Sequence, residues 1–442
     1  MLRSCCVYGA GILCVLLLIA GIAMALAQVF QKLINNTIKE QVVLENGTEA
    51  FSVWRTPPPP VYMQFYFFNL TNPAEVLEGD KPFVQQIGPY TYREYRPKEE
   101  VKFMDNGTRV AAVNPKTYVF EPSMSRGSED DIVRTVDIPV VSAMEKFKDT
   151  IVVIGDLLWG YEDPLLKELK QFVSDDHFGL FYKKNGTDDG DYIFFTGKQN
   201  YQDFARIDEW NGQRTLNWWS TEECNMINGT DGASFHPIIT KKEKLYIFSS
   251  DLCRSIYAQY ESDVSVRGVP GFRFVPPSEV FANITINPDN AGFCVPAGNC
   301  LGSGLLNASV CKEGAPIIMS SPHFYQADNK FVQDVLGMNP NKEEHETVID
   351  VNPVCLIIFS FLLCSQTGKI QTLVFPVMYL NESVVIDEES AKKLYSVVTE
   401  ANVIINIPFI VISVGILLGV IFIVFMCRQQ TPAVRLTHRF LH

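Results

Sequence analysis

Two stretches of this chain, one near each end, carry no charged side chain: Ser4 to Phe30 and Ala401 to Cys427. Val7–Ala27 is apolar or small throughout, and Ile404–Met426 is nearly all Ile, Val, Leu and Phe. A helix needs about 20 such residues to cross the hydrocarbon layer, so each stretch predicts a membrane span. Pro408 is tolerable near the start of the second, where the first turn has no hydrogen bond to lose. The first stretch also has marks of a cleaved signal peptide: Arg3 as a basic n-region and Ala25-Leu26-Ala27 as an A-x-A site. Its apolar run exceeds the ~7–15 residues of a signal core, which favours an uncleaved anchor.

Basic residues outside the spans set the orientation. Arg3 precedes the first; Arg428, Arg435 and Arg439 follow the second, with no acidic residue in that tail. The expected layout is a cytoplasmic N-terminus (1–6), a span (7–27), a lumenal or extracellular domain (28–402), a second span (403–427) and a cytoplasmic tail (428–442).

Sequons and cysteines agree with this layout. Nine N-x-S/T sequons lie between the spans, at Asn35, Asn46, Asn69, Asn106, Asn185, Asn228, Asn283, Asn307 and Asn381. Glycans occupy solvated surface in the secretory lumen, so all nine are candidate glycosylation sites. Of the eleven cysteines, seven lie between the spans, and Cys224, Cys253, Cys294, Cys300 and Cys311 cluster, as suits an oxidising compartment. No C-x2-C appears, so the spacing is not that of a zinc site. Cys5 and Cys6 are candidate palmitoylation sites at the membrane edge; inert packing explains them equally well.

The region between the spans reads as antiparallel β. Short aromatic and β-branched runs recur at Val61–Leu70, Pro89–Tyr95, Thr117–Phe120, Asp191–Thr196, Lys244–Phe248, Gly271–Val275 and Thr372–Leu380. Turn signals stand between them at Asn185-Gly186, Asp189-Gly190 and Asn211-Gly212. A helical pattern is confined to Ile138–Phe172, where Asp163-Pro164 is an N-cap followed by proline at N1. Leu165, Leu166 and Leu169 share one face of that helix. Packing on their own domain is the simpler reading of that face; a partner-binding surface is the functional one.

A surplus of acid, 50 Asp+Glu against 37 Lys+Arg, excludes a bulk basic surface for nucleic acid. No G-x-S-x-G, H-E-x-x-H or phosphate-binding glycine loop is present, and His345-Glu346 lacks the second histidine. Asn185–Asp191 resembles the start of a calcium loop, but its twelfth position would be Thr196, so a glycosylated hairpin turn fits better. The acidic pairs Asp130-Asp131 and Asp175-Asp176 read as solvated loops. No catalytic residue, metal or cofactor is assigned, and the expectation is a protein that is not an enzyme. The oligomeric state is not fixed by the sequence, and a homo-oligomer is compatible with it.

Several segments carry a resemblance. Asn69–Glu75 (NLTNPAE), Gly88–Arg93 (GPYTYR), Glu209–Gly212 with Trp218-Trp219, Cys224–Gly232, Phe293-Cys294, Gly314–Pro316, Pro322–Asp328 (PHFYQAD) and Phe375–Tyr379 (FPVMY) resemble the class B scavenger receptor family, and its lysosomal branch most. The resemblance implies a mainly β fold with some α: an antiparallel β-barrel ectodomain with an internal apolar tunnel and a helical apex, held by two transmembrane helices. It implies a receptor that carries sterol and phospholipid toward the membrane. It also implies disulfides Cys253–Cys311 and Cys294–Cys300. Cys224 matches a position whose usual partner is replaced here by Gly292, so it is expected to be free.

In the lysosomal branch the apex binds acid β-glucocerebrosidase at neutral pH and releases it in the acidic lysosome. A histidine is the sensor such a switch needs. This chain departs from the family pattern at three places. Between Phe147 and Asp156 it lacks the apical helix that carries the family's histidine and much of the enzyme-binding surface; Asp156–Phe172 matches the neighbouring helix, and His177 is the nearby histidine. Val354–Cys364 is an apolar run too short to span a bilayer; it reads as a buried strand, and an alternative transcript or gene-model error explains Cys355 and Cys364 just as well. The tail lacks the branch's acidic di-leucine signal, so the lysosomal location has a plasma-membrane alternative.

Overall fold

A computed structural model describes residues 2–144, 148–169, 175–312, 314–351, 362–367, 373–384 and 386–430; of 2–8, 144, 362–367 and 428–430 it describes the backbone only. The chain divides into two units, one made of 1–40 with 392–442 and the other of 41–391.

The first unit is helical. Helices Leu2–Ala27 and Ile407–Gln430 contain Gly9–Ala27 and Ile407–Cys427, both long and apolar enough to cross a membrane. Their side chains are mostly exposed, among them Ile12, Leu16, Ile19, Phe409, Ile416 and Ile423. A soluble protein does not leave so large an apolar area in water, whereas lipid solvates it. Small residues let the two helices approach. A Cβ added at Gly21 would lie 2.6 Å from Ile412 Cγ1, and one at Gly11 would lie 3.0 Å from Phe422 Cε2. Gly415 meets Leu18 and Gly419 meets Cys14 in the same way. Close backbone approach over small residues is how helices associate where no hydrophobic effect drives them together.

The second unit is dominated by antiparallel pairing. Among the described residues its largest sheet has seven strands, in the order Leu305–Asn307, Ile317–Ser320, Leu362–Thr367, Leu373–Val384, Val61–Leu70, Val84–Tyr95 and Thr117–Phe120. The run VYMQFYFFNL alternates buried and half-buried residues up to Phe67 and then buries Phe67 and Phe68 together. Phe68 lies on the opposite face from Phe67, where His323 and Tyr379 cover it. Phe65 faces Tyr90 but Phe67 faces Ile87, so the neighbouring strand carries one extra residue at Gly88-Pro89. Gly88 has φ +117, and a Cβ there would meet Phe65 O at 2.7 Å, so only glycine fits the bulge.

Two four-stranded sheets follow. One runs Ile207–Trp210, Asp191–Phe195, Arg109–Val113 and Glu99–Met104; the other Lys244–Ser249, Arg254–Val266, Val269–Val275 and Ile349–Val351. Asn211 and Gly212 both take positive φ (50° and 71°) between Trp210 and Gln213, which exchange backbone hydrogen bonds of 2.8 and 3.0 Å. This is the two-residue hairpin that the Asn-Gly signal predicts. One apolar core gathers Trp54, Phe194, Trp219, Ile247 and Phe274, and another gathers Phe65, Phe67, Tyr92, Leu157 and Phe375.

The middle block is less helical than expected. Ile138–Met144, Ile154–Trp159 and Pro164–Glu168 are short helices, but Asp149–Val153 is a strand paired with Ile132–Val136. The β-branched run Thr150-Ile-Val-Val153 prefers a pleated surface, and that preference outweighs the helical period around it. Residues 170–172 of that block lie outside the described residues.

Candidate functional site

Three groups of polar side chains qualify as candidates: the expected partner surface, a charge cluster inside the second unit, and the cysteine network.

The partner surface begins at Asp163, which is buried and caps its helix: Oδ1 accepts from Leu165 N and Leu166 N, both at 3.0 Å. Leu165, Leu166 and Leu169 are all half-buried, so they form neither a sealed core face nor an open apolar stripe. The preceding helix buries Ile154, Leu157 and Leu158, and Trp159 Nε1 donates to Tyr92 OH at 3.2 Å. His177 stands beside this segment, its Nδ1 2.9 Å from Asp176 Oδ1 and 3.4 Å from Asp175 Oδ1, with its ring stacked on Tyr182. A Lys183 hydrogen bond holds the Asp175 carboxyl down to about 2. Ligand atoms of Asp175, Asp176 and His177 lie within 4.8 Å of one another, but Lys183 already neutralises the first, and no metal is assigned to them.

The charge cluster was not foreseen. Glu94 continues the inward phase of Tyr90 and Tyr92 on the strand Val84–Tyr95, and that phase was the available signal. Arg96 Nη1 donates to Glu382 Oε1 at 2.5 Å and lies 3.8 Å from Glu94 Oε1. Lys98, 3% exposed, pairs with Asp231 at 2.8 Å and sits over the Trp54 ring. Arg96, Lys98, Asn114, Asp189 and Glu382 line a recess with about 80 Å³ of space open to water. Arg96 Nε, Asn114 Oδ1 and Asp189 Oδ1 there, and Glu94 Oε1 beside them, are buried without a hydrogen-bond partner, which marks a place for ordered water. A lipid-sized ligand needs several times that space, ~300–1,000 Å³. Burial raises the Glu94 carboxyl to about 7 despite Arg96, with Glu382 pushing the same way.

Residues 12–426 match the model of the CD36 family. The chain belongs to the CD36 family, that of the class B scavenger receptors. It is 49% identical to lysosome membrane protein 2 of Homo sapiens, over 96% of each chain, and 48% identical to that of Rattus norvegicus, over 97% of this chain and 96% of the relative. It is 34% identical to scavenger receptor class B member 1 of Cricetulus griseus, over 96% of this chain and 89% of the relative.

In this member of the CD36 family, Cys253 is bonded to Cys311 and Cys294 to Cys300. Cys224 is buried and unbonded, its thiol pointing to Asp289 O at 3.4 Å. A Cβ added at Gly292 would lie 2.5 Å from Cys224 Sγ, so this glycine stands where a partner sulfur would attach. None of the nine sequon asparagines is buried; Asn46, Asn106 and Asn185 are exposed and the other six half-buried. The side chains of Cys5 and Cys6, residues 354–361 and the tail from 431 onward lie outside what is described.

Proposed function

We propose that this chain is a two-span receptor of the lysosomal membrane that binds acid β-glucocerebrosidase for delivery to lysosomes and passes sterol or phospholipid through an apolar passage enclosed by its antiparallel sheets. Both termini are cytosolic in this reading, and residues 28–402 form the glycosylated lumenal domain. The observation that carries it is the graded identity: 49% to lysosome membrane protein 2 against 34% to scavenger receptor class B member 1, each over most of both chains. The exposed apolar helices at both ends support the anchoring, and accessible sequons support the lumenal side.

Co-precipitation of β-glucocerebrosidase with the full chain at pH 7 and pH 5 tests this. Strong recovery at pH 7 and little at pH 5 is expected; equal recovery at both removes the switch. A second reading is a plasma-membrane scavenger receptor for lipoprotein or lipid, supported by the 34% identity to scavenger receptor class B member 1. Immunofluorescence confined to a surface marker would select it.

A further inference from the structure

Arg254 begins the strand Arg254–Val266, directly after the Cys253–Cys311 bridge. It is 6% exposed. Its guanidinium lies over the Phe293 ring, with Cζ 3.5 Å from the centroid, and faces Phe281 at 5.3 Å. Nε donates to Ser255 O at 3.3 Å. Among the described residues no carboxylate forms an ion pair with it. Aromatic faces offset part of the desolvation of a guanidinium, but a buried cation ordinarily has an anion beside it. Here burial holds the group down to about 9, opposed only in part by the Cys224 thiol and the Tyr257 hydroxyl.

Arg254 lines a cavity with about 40 Å³ of space open to water. Asn290, Asn299, Cys294 and Cys300 also line it, and Arg254 is the one charged residue among the described residues of its wall. Asn290 Nδ2 is already committed to Glu279 O and Ala282 O, at 3.0 and 2.7 Å. The Cys294–Cys300 bridge makes the wall covalent on one side. One water needs roughly 10–15 Å³ by this measure, so the space admits about three water-sized atoms and not an extended ligand.

We infer that this cavity is a binding site for one small monovalent anion, chloride or a carboxylate, with the Arg254 guanidinium as its counter-charge. The anion supplies the charge that the protein withholds, and the aromatic faces keep the guanidinium in place when the site is empty.

The test is thermal unfolding of the purified full chain in detergent, in sodium chloride, sodium acetate and sodium gluconate at one ionic strength. Gluconate is too large for the cavity. A midpoint roughly 2–4 °C higher in chloride or acetate than in gluconate is expected, absent in Arg254→Met. The salt that gives the shift identifies the anion. Equal midpoints of the wild-type chain in all three salts, or a shift that survives in Arg254→Met, overturns the site. Should that variant fail to fold, soaks of wild-type crystals in bromide and in acetate decide: an anomalous bromide peak or acetate density within hydrogen-bonding reach of the guanidinium supports the site, and the absence of both overturns it.

Discussion

His323 and His345 stack nearly face to face inside the second unit, with ring centroids 4.4 Å apart and planes 19° from parallel. Both are buried. His323 Nδ1 accepts from Asn339 N at 3.1 Å, and His345 Nδ1 accepts from Asn341 N at 2.9 Å. Each ring is thereby held neutral, with its proton on Nε2. Gln86 Oε1 faces His323 Nε2 at 2.5 Å, Glu344 stands 4.0 Å from His345 Nε2, and Phe68 and Tyr379 pack edge-on.

Burial, with the His345 ring adding to it, pushes His323 down to about 4, and burial lowers His345 as well. An unfolded histidine takes up its proton near 6.5. Stability from the neutral His323 ring is therefore complete above about 6.5 and is lost as pH falls toward about 4, by at most ~1.4 kcal/mol per pH unit, and His345 acts in the same direction. Melting curves between pH 7 and pH 4.5 should show a shallower loss for His323→Gln than for the wild-type chain. Parallel profiles would sink the assignment.

Glu94 acts in the opposite sense. Its folded value of about 7 lies above the usual 4.5, so the folded chain holds a proton that the unfolded chain has released. The stability this contributes is present below about 4.5 and is lost as pH rises through about 7. Glu94→Gln keeps the neutral form at every pH. The variant should gain midpoint over the wild-type chain at pH 7.5 and little at pH 4.5. An equal gain at both would point to packing and not to the proton.

Gly292→Cys should bond to Cys224, since the added Cβ would start 2.5 Å from that sulfur. The bridge would close a loop from 224 to 292 and stabilise by about 4 kcal/mol in the loop-entropy model, less any strain. Peptide mapping without reduction reads the bond, and a free thiol titre unchanged from wild type would reject it.

Gly21→Leu should separate the terminal helices, because its side chain would occupy the place of Ile412 Cγ1. Overpacking of this kind costs about 1–3 kcal/mol. Oxidative cross-linking of Leu18→Cys with Gly415→Cys reports the pairing, and it should fall when Gly21→Leu is added. Unchanged cross-linking would mean that the helices do not meet at this glycine.

Local signals were readable in the sequence, and long-range ones were not. Val61–Leu70 and Thr117–Phe120 are strands at the predicted bounds because alternating aromatic and β-branched residues leave few other ways to bury one face. Asn211-Gly212 turns as expected because both positions need positive φ. Asp149–Val153 was misread because a short β-branched run inside a helical period is ambiguous until its neighbour strand is known. The charge cluster shows only in part, through the inward phase of Glu94. Arg96 and Glu382 are 286 positions apart, and Lys98 reaches Asp231 only through the fold, so no spacing links them.

The pairing of Gly21 with Ile412 has a consequence for how the chain can come apart. With the two ends knit together, the 41–391 unit unfolds as a ring and never as an open thread. Ring closure removes part of the freedom that an opened chain would gain. A single nick between these helices would restore that freedom while both pieces stayed joined at their hydrophobic ends.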